Sequence, residues 1–391
     1  MIRRRALLAG AAALAAPAVH AAPAVHAAPS GPVRIGNLLS ESGVFAITGE
    51  GIQRGMELAM TELGSHAGGR PIEMIREDDE VSPQIGLQKV KKLIERDGCD
   101  FITGPVGSNV ALAIAGYLKS APCIYLCSGA GVNALTRQRR APNFFRSSTS
   151  SWQSNAPAGT WFAQNHYPKV ALIAADYSGG HEAADAFKAA YLAAGGTIAT
   201  EIYPPFGAND YSAYLPRLRE AGAPAVYAYM TGADAVRFVQ QFAQFGLKSD
   251  IALLGTGFLV EQDALPAEGA AAIGARTGLH YAATLPGPVN RAFAAAYQAK
   301  YNEPPSCYAE YGYVAAQVIA KTLDITKGDT NQARLIDAMK QLQFEAPRGP
   351  FRFDPDTHNV IQNIYIREVE MKDGVAVNKV LATIPDQRDP G

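Results

Sequence analysis

The sequence predicts an α/β protein built as two doubly wound parallel-sheet lobes. Three observations lead there. From Pro32 onward, short β-branched runs alternate with longer stretches of helical apolar spacing, the signature of βαβ units and a parallel sheet. Between Ala134 and Arg146 the rhythm breaks at Arg137, Arg139, Arg140 and Pro142, then restarts. The length, 391 residues, exceeds what one hydrophobic core usually serves, so two domains are expected.

In the first lobe, 33–39 is a β-branched and apolar strand, and 51–63 carries apolar residues at helical spacing. A strand at 71–77 precedes a helix at 83–96 that opens on Pro83. Strand 100–103, helix 108–119 behind Ser108, and strand 123–127 follow. The stretch 134–146 reads as a connection, where a crossover fits. The second lobe repeats the order: helix 153–166, strand 170–174, helix 182–194, strand 197–203, helix 211–221, strand 225–229, helix 233–246 and strand 251–255. Helices at 289–301, 309–326 and 332–342, then strands at 349–353 and 361–369, must be shared between lobes. The expected division is 31–149 with 283–350 in lobe 1, and 150–282 with 351–385 in lobe 2.

Residues 1–27 read as a signal peptide. Arg3, Arg4 and Arg5 precede the apolar run from Ala6 to Ala16, and small residues near Ala21 and Ala27 offer cleavage sites. Arg4-Arg5-Ala6-Leu7-Leu8 resembles a twin-arginine export motif. Ala16 to Ala21 is repeated as Ala22 to Ala27, which lengthens the cleavage region. The apolar run is shorter than the ~20 residues that span a bilayer, and Pro17 closes it.

Composition excludes several functions. With 35 Lys+Arg against 36 Asp+Glu and no long charge run, there is no footprint for nucleic acid or anionic lipid. The cysteines, Cys99, Cys123, Cys127 and Cys307, lack zinc-site spacing. Cys99 and Cys123 open two strands, and if these are parallel neighbours a disulfide is open to them in an oxidising compartment. Gly129, Gly131 and Ala134 match Gly-x-Gly-x-x-Ala, but Pro142 ends any helix there and Ser148 to Ser151 stand where the ribose-binding acid belongs. No Gly-x-Ser-x-Gly elbow occurs, and His66, His166, His181, His280 and His358 are scattered. No enzyme, cofactor or metal is expected.

In open α/β sheets, ligands sit beyond the carboxyl ends of strands. The loop after 100–103 holds Gly107, Ser108 and Asn109, with Ser108 at the start of a helix whose unpaired N–H groups suit a carboxylate. Ser108 could equally serve only as a cap. After 123–127 come Gly129, Ala130 and Gly131, where ligand contact and tight turn weigh evenly. Trp152, Tyr177, Tyr229 and Phe258 stand near strand ends, and Tyr308 and Tyr311 flank Glu310. Such aromatics can close over an apolar group, although core or hinge packing is the stronger reading for Tyr229 and Tyr311.

Val33-Arg34-Ile35-Gly36, Ser42-Gly43 and the run from Gly49 to Ala59 together resemble the leucine/isoleucine/valine-binding protein family. So do Glu77-Asp78-Asp79, Ile102-Thr103-Gly104-Pro105, Asp210-Tyr211-Ser212 and Gly349-Pro350-Phe351, in order and spacing. The resemblance implies a type I periplasmic-binding-protein fold with three crossovers, a ligand held between the lobes, a periplasmic location, a monomer, and an ABC permease in the inner membrane as partner. By analogy, Gly107, Ser108, Ala130 and Gly131 match positions that hold the ligand carboxylate, with Tyr177 to Gly179, Thr231 and Gly257 on the second lobe. Amino-acid binders of this family place an acid after the strand equivalent to 251–255, whereas this chain reads Thr256-Gly257-Phe258. A buried ammonium without a partner is costly, so a small apolar carboxylate, aromatic in character, is the expected ligand. Asp176, Asp234 or Glu310 would have to replace the missing acid for an α-amino acid. A ligand-sensing receptor and an enzyme on the same scaffold stand as alternatives.

Overall fold

In a computed structural model, which describes residues 31–391, the chain forms two sheets flanked by helices. The expected signal peptide lies outside the described residues. The first sheet is built from β1 (Val33–Leu39), α1 (Ala46–Glu62), β2 (His66–Ala67), β3 (Arg70–Asp78), α2 (Pro83–Lys91), β4 (Phe101–Thr103), α3 (Ser108–Leu118), β5 (Ile124–Cys127) and β6 (Phe144–Arg146). Its strand order is β2-β3-β1-β4-β5-β6, parallel except for the β2–β3 pair. Strands β4 and β5 are buried along their whole length, which is why they read as unbroken apolar runs.

The second sheet begins with α4 (Ser151–Gln164), β7 (Lys169–Ala174), α5 (Ser178–Ala193), β8 (Thr197–Ile202), α6 (Leu215–Glu220), β9 (Ala225–Tyr229), α7 (Ala233–Gln244), β10 (Ala252–Thr256), α8 (Leu265–Glu268) and β11 (Arg276–Leu279). Three helices then follow, α9 (Pro288–Tyr301), α10 (Cys307–Thr326) and α11 (Gln332–Lys340). The chain ends in β12 (Gln343–Ala346), β13 (Gly349–Phe353), β14 (Val360–Lys372) and β15 (Val375–Gln387). The order is β12-β13-β14-β11-β10-β9-β7-β8, with β15 paired to β14. The chain passes between the sheets after β6, after β11, and between α11 and β12.

Helix α10 returns to the first lobe and packs on α1 with backbones nearly in contact. A Cβ on Gly55 would lie 1.7 Å from the Ala309 carbonyl oxygen, and one on Gly312 would lie 1.8 Å from that of Ile52. Only glycine permits that approach.

Several expectations need correction. The connection 134–146 ends in β6, which pairs in parallel with β5. Helix α1 begins at Ala46, because Gly49 is a packing residue here and not a breaker: a Cβ there would meet the Ser40 carbonyl oxygen at 2.1 Å. The helix expected at 211–221 starts at Leu215, since Asp210 accepts from the Ser212 amide at 2.8 Å and turns the chain first. Strands β2, β11, β12 and β15 had no counterpart in the sequence reading; only one residue of β15, Asn378, is fully buried. The Cys99–Cys123 bridge is not formed. All four cysteines are buried free thiols, and burial pushes those of Cys99 and Cys123 up to about 12.

Candidate ligand-binding cleft

Loops from both sheets converge on one cleft. The first lobe supplies Phe45 and Thr48 before and within α1, Val106 and Ser108 after β4, and Gly129 and Gly131 after β5. The first crossover and the start of α4 add Thr149, Ser151 and Ser154. The second lobe supplies Tyr177, Tyr229, Thr231 and Phe258 at the ends of β7, β9 and β10, and α10 adds Tyr308. The space between these residues, counting the part open to solvent, is about 480 Å³.

One side of the cleft is made of backbone and hydroxyl groups. Helix α3 is capped by Gly107 without a side-chain bond, and no acceptor meets the amides of Ser108, Asn109 or Val110 among the described residues. Those N–H groups and the positive end of the helix favour an anion. Gly131 lies against the first crossover: its carbonyl accepts from the Ser151 amide at 2.6 Å, and a Cβ there would meet Ser151 Oγ at 3.1 Å. Helix α4 opens on a Ser150–Gln153 capping box, which fixes the Thr149–Ser151 segment.

The remaining walls are aromatic. The Tyr177 ring lies 4.5 Å from Phe206 and 6.5 Å from Phe45, centroid to centroid. Phe258 and Tyr308 stack 5.8 Å apart with planes 14° from parallel. The Tyr177 and Tyr229 hydroxyls approach to 3.5 Å.

Among the described residues, no charged side chain lines the cleft. Each acid that could have held an ammonium is engaged elsewhere. Asp176 meets His181 Nε2 at 2.7 Å. Asp234 pairs with Arg237 and accepts from the Gly207 amide at 2.8 Å. Glu310, fully buried, accepts from Arg348 Nε at 2.7 Å and stands 3.2 Å from His280 Nε2. Burial opposes its charge, but Arg348 and His280 together outweigh burial and hold its carboxyl below the usual range. Burial, reinforced by Arg348, lowers His280 to about 3.

Of the residues expected from sequence, Ser108, Gly129, Gly131, Tyr177, Thr231, Phe258 and Tyr308 come together around the cleft. Gly107 lies one residue behind it as the α3 cap. Asn109 turns away and donates to the Val81 carbonyl at 3.2 Å. Ala130 is buried, its carbonyl accepting from Arg146 Nε at 3.2 Å. Gly257 faces Leu279 and Arg367, which a Cβ would meet at 2.3 and 2.7 Å. Trp152 lines a different groove, with Trp161, Pro157 and Ile384. Sequence reasoning passed over Phe45, Thr48, Val106, Thr149, Ser151 and Ser154, and gave Tyr229 to packing. The hydroxyl run Ser147-Ser148-Thr149-Ser150-Ser151 was the available signal. A run of small hydroxyl residues just ahead of a helix suits polar recognition as well as capping.

Residues 32–375 match the family of periplasmic binding proteins. The chain belongs to that family. This binding protein is 31% identical to Leu/Ile/Val-binding protein homolog 6 of Brucella melitensis, over 92% of its own length and 93% of the relative's. Among solved structures it resembles an ABC transporter substrate-binding protein from Sphaerobacter thermophilus, at 38% identity and TM-score 0.86, covering 91% of this chain and 98% of that one. A solute-binding protein from Rhodopseudomonas palustris BisB5, solved with 3,4-dihydroxybenzoic acid, is 33% identical with TM-score 0.88, covering 92% and 99%. Another from R. palustris, solved with benzoate, is 32% identical with TM-score 0.86, covering 91% and 98%. This binding protein is a substrate-binding component of an ABC transporter and not an enzyme. Among the described residues, no helix is long and apolar enough to cross a membrane.

Proposed function

We propose that this binding protein captures a benzoate-type aromatic carboxylate and delivers it to an ABC permease, working as a monomer in the periplasm after removal of residues 1–27. The observation that carries this reading is the neutrality of the cleft: aromatic walls, hydroxyls and an open helix N-terminus, with no acid among the described residues. A carboxylate accepts hydrogen bonds only, so it suits the Ser108 amide and the hydroxyls of Ser108, Thr149 and Ser151. An α-ammonium would be buried without a counter-charge, which is costly. The neighbours solved with benzoate and 3,4-dihydroxybenzoic acid support the same ligand class.

Calorimetry and thermal shift on residues 28–391 test it with benzoate, 4-hydroxybenzoate and 3,4-dihydroxybenzoate against leucine, valine and phenylalanine. Ligand at 100 times its dissociation constant stabilises by ~2.7 kcal/mol. The benzoates are expected to shift the protein and the amino acids to leave it unmoved. A shift with amino acids alone overturns the reading. Branched-chain amino acids are the second reading, favoured by the names of the Brucella relatives.

A further inference from the structure

We infer that Tyr311, buried behind the cleft, is a positioning residue that occupies one acceptor site of the Thr149 hydroxyl, leaves its proton for the cleft and so favours an anionic ligand group. This rests on the carboxylate reading and deepens it.

The argument is one of proton accounting. Thr149 lines the cleft, and both its polar hydrogen-bearing atoms meet one phenol: the amide nitrogen lies 3.2 Å and Oγ1 2.7 Å from Tyr311 Oη. The amide can only donate, so the phenol oxygen accepts from it. The phenol has one proton, and among the described residues Thr149 Oγ1 is the acceptor it reaches. If Thr149 donated instead, the proton of a fully buried phenol would be left without a partner, which is unfavourable. Tyr311 therefore gives its proton to Thr149 Oγ1, and the threonine's own proton remains for the cleft.

The surroundings hold this arrangement in place. The Tyr311 ring stacks on His280 at 4.5 Å with planes 3° apart. The Arg348 guanidinium sits 5.4 Å from the ring centroid on the same ring system, and its charge makes the phenol a better donor. Arg348 cannot swing away, because Glu310 Oε1 (2.7 Å), the Ser147 carbonyl (2.8 Å) and Gln362 Oε1 (2.6 Å) all accept from it. Those partners come from the first crossover, α10 and the C-terminal strands, so the donor state of Thr149 is set by residues far apart in sequence. With its proton free and one of its two lone pairs taken by the phenol, the hydroxyl favours a carboxylate over an ammonium.

The test is a double-mutant cycle on the mature protein with Tyr311→Phe, Thr149→Val and the pair, read with benzoate and with its neutral isostere benzamide. Phenylalanine keeps the ring stack, and thermal melts check that each variant folds. Either single substitution is expected to weaken benzoate roughly tenfold, to weaken benzamide, whose neutral carbonyl accepts a weaker bond, by clearly less, and to show no further loss in the pair. Thr149→Ser should restore the preference that Thr149→Val removes. An unchanged benzoate-to-benzamide ratio in Tyr311→Phe, or additive losses, overturns the inference alone. A wild type blind to every benzoate overturns the carboxylate reading and the inference with it.

Discussion

Two polar regions lie back to back in this protein and handle polarity in opposite ways. Behind the cleft, where the crossovers meet, Glu310, Arg348, His280 and Gln362 are fully buried and bonded to one another. In the cleft itself there is no charge among the described residues, and the Ser108, Asn109 and Val110 amides stand without protein partners. The difference teaches how a binding protein can carry buried charge without giving it to the ligand. Charges at the hinge hold the crossovers, while the cleft keeps the α3 N-terminal amides unspent. Tyr311 is the contact between the two regions.

The largest expected effect comes from breaking the hinge side. Glu310→Gln strands Arg348 without its counter-charge and should destabilise the fold by about 3–5 kcal/mol, read by urea unfolding. A loss below ~1 kcal/mol would mean that the hinge tolerates an unpaired cation. Next is to make the cleft resemble the hinge by adding a charge. Ser151→Asp places a carboxylate where the ligand's is expected and should weaken benzoate by roughly two orders of magnitude or more, with little change in melting temperature. Tightened benzoate binding would place the ligand carboxylate at the opposite end.

A third test concerns a second acidic region, at Asp263. Burial, with Glu261 nearby, pushes its carboxyl up to about 8, and burial raises Glu268 as well. The folded state therefore holds a proton that the unfolded chain releases near pH 4. Stability should fall as pH rises from about 4 to 8, by at most ~1.4 kcal/mol per pH unit for one group. Melting curves of wild type and Asp263→Asn across that range measure it, and parallel curves would mean that Asp263 ionises freely in the folded protein. The smallest effect is on the aromatic wall. Phe258→Leu removes the stack on Tyr308 and should cost about 1 kcal/mol of benzoate affinity, with the leucine keeping most of the apolar area.

The sequence determined the layers and most of their boundaries. Val33–Leu39, Ala225–Tyr229 and Gly349–Phe353 fall where their apolar patterns place them, because local patterning records which face of an element is buried. It also determined where ligand loops lie, and Ser108, Gly131, Tyr177 and Phe258 come to the cleft from that rule alone. Tertiary structure decided the rest. Trp152 and Tyr229 have equally suggestive positions in the chain, yet one lines a separate groove and the other the cleft. Asp176, Asp234 and Glu310 were open partners for an ammonium until His181, Arg237 and Arg348 were seen to occupy them. The physical reason is common to these cases. A hydrogen bond such as that of Thr149 to Tyr311, 162 residues apart, leaves no periodicity in the chain, so only the folded structure shows which polar groups are paired and which remain for a ligand.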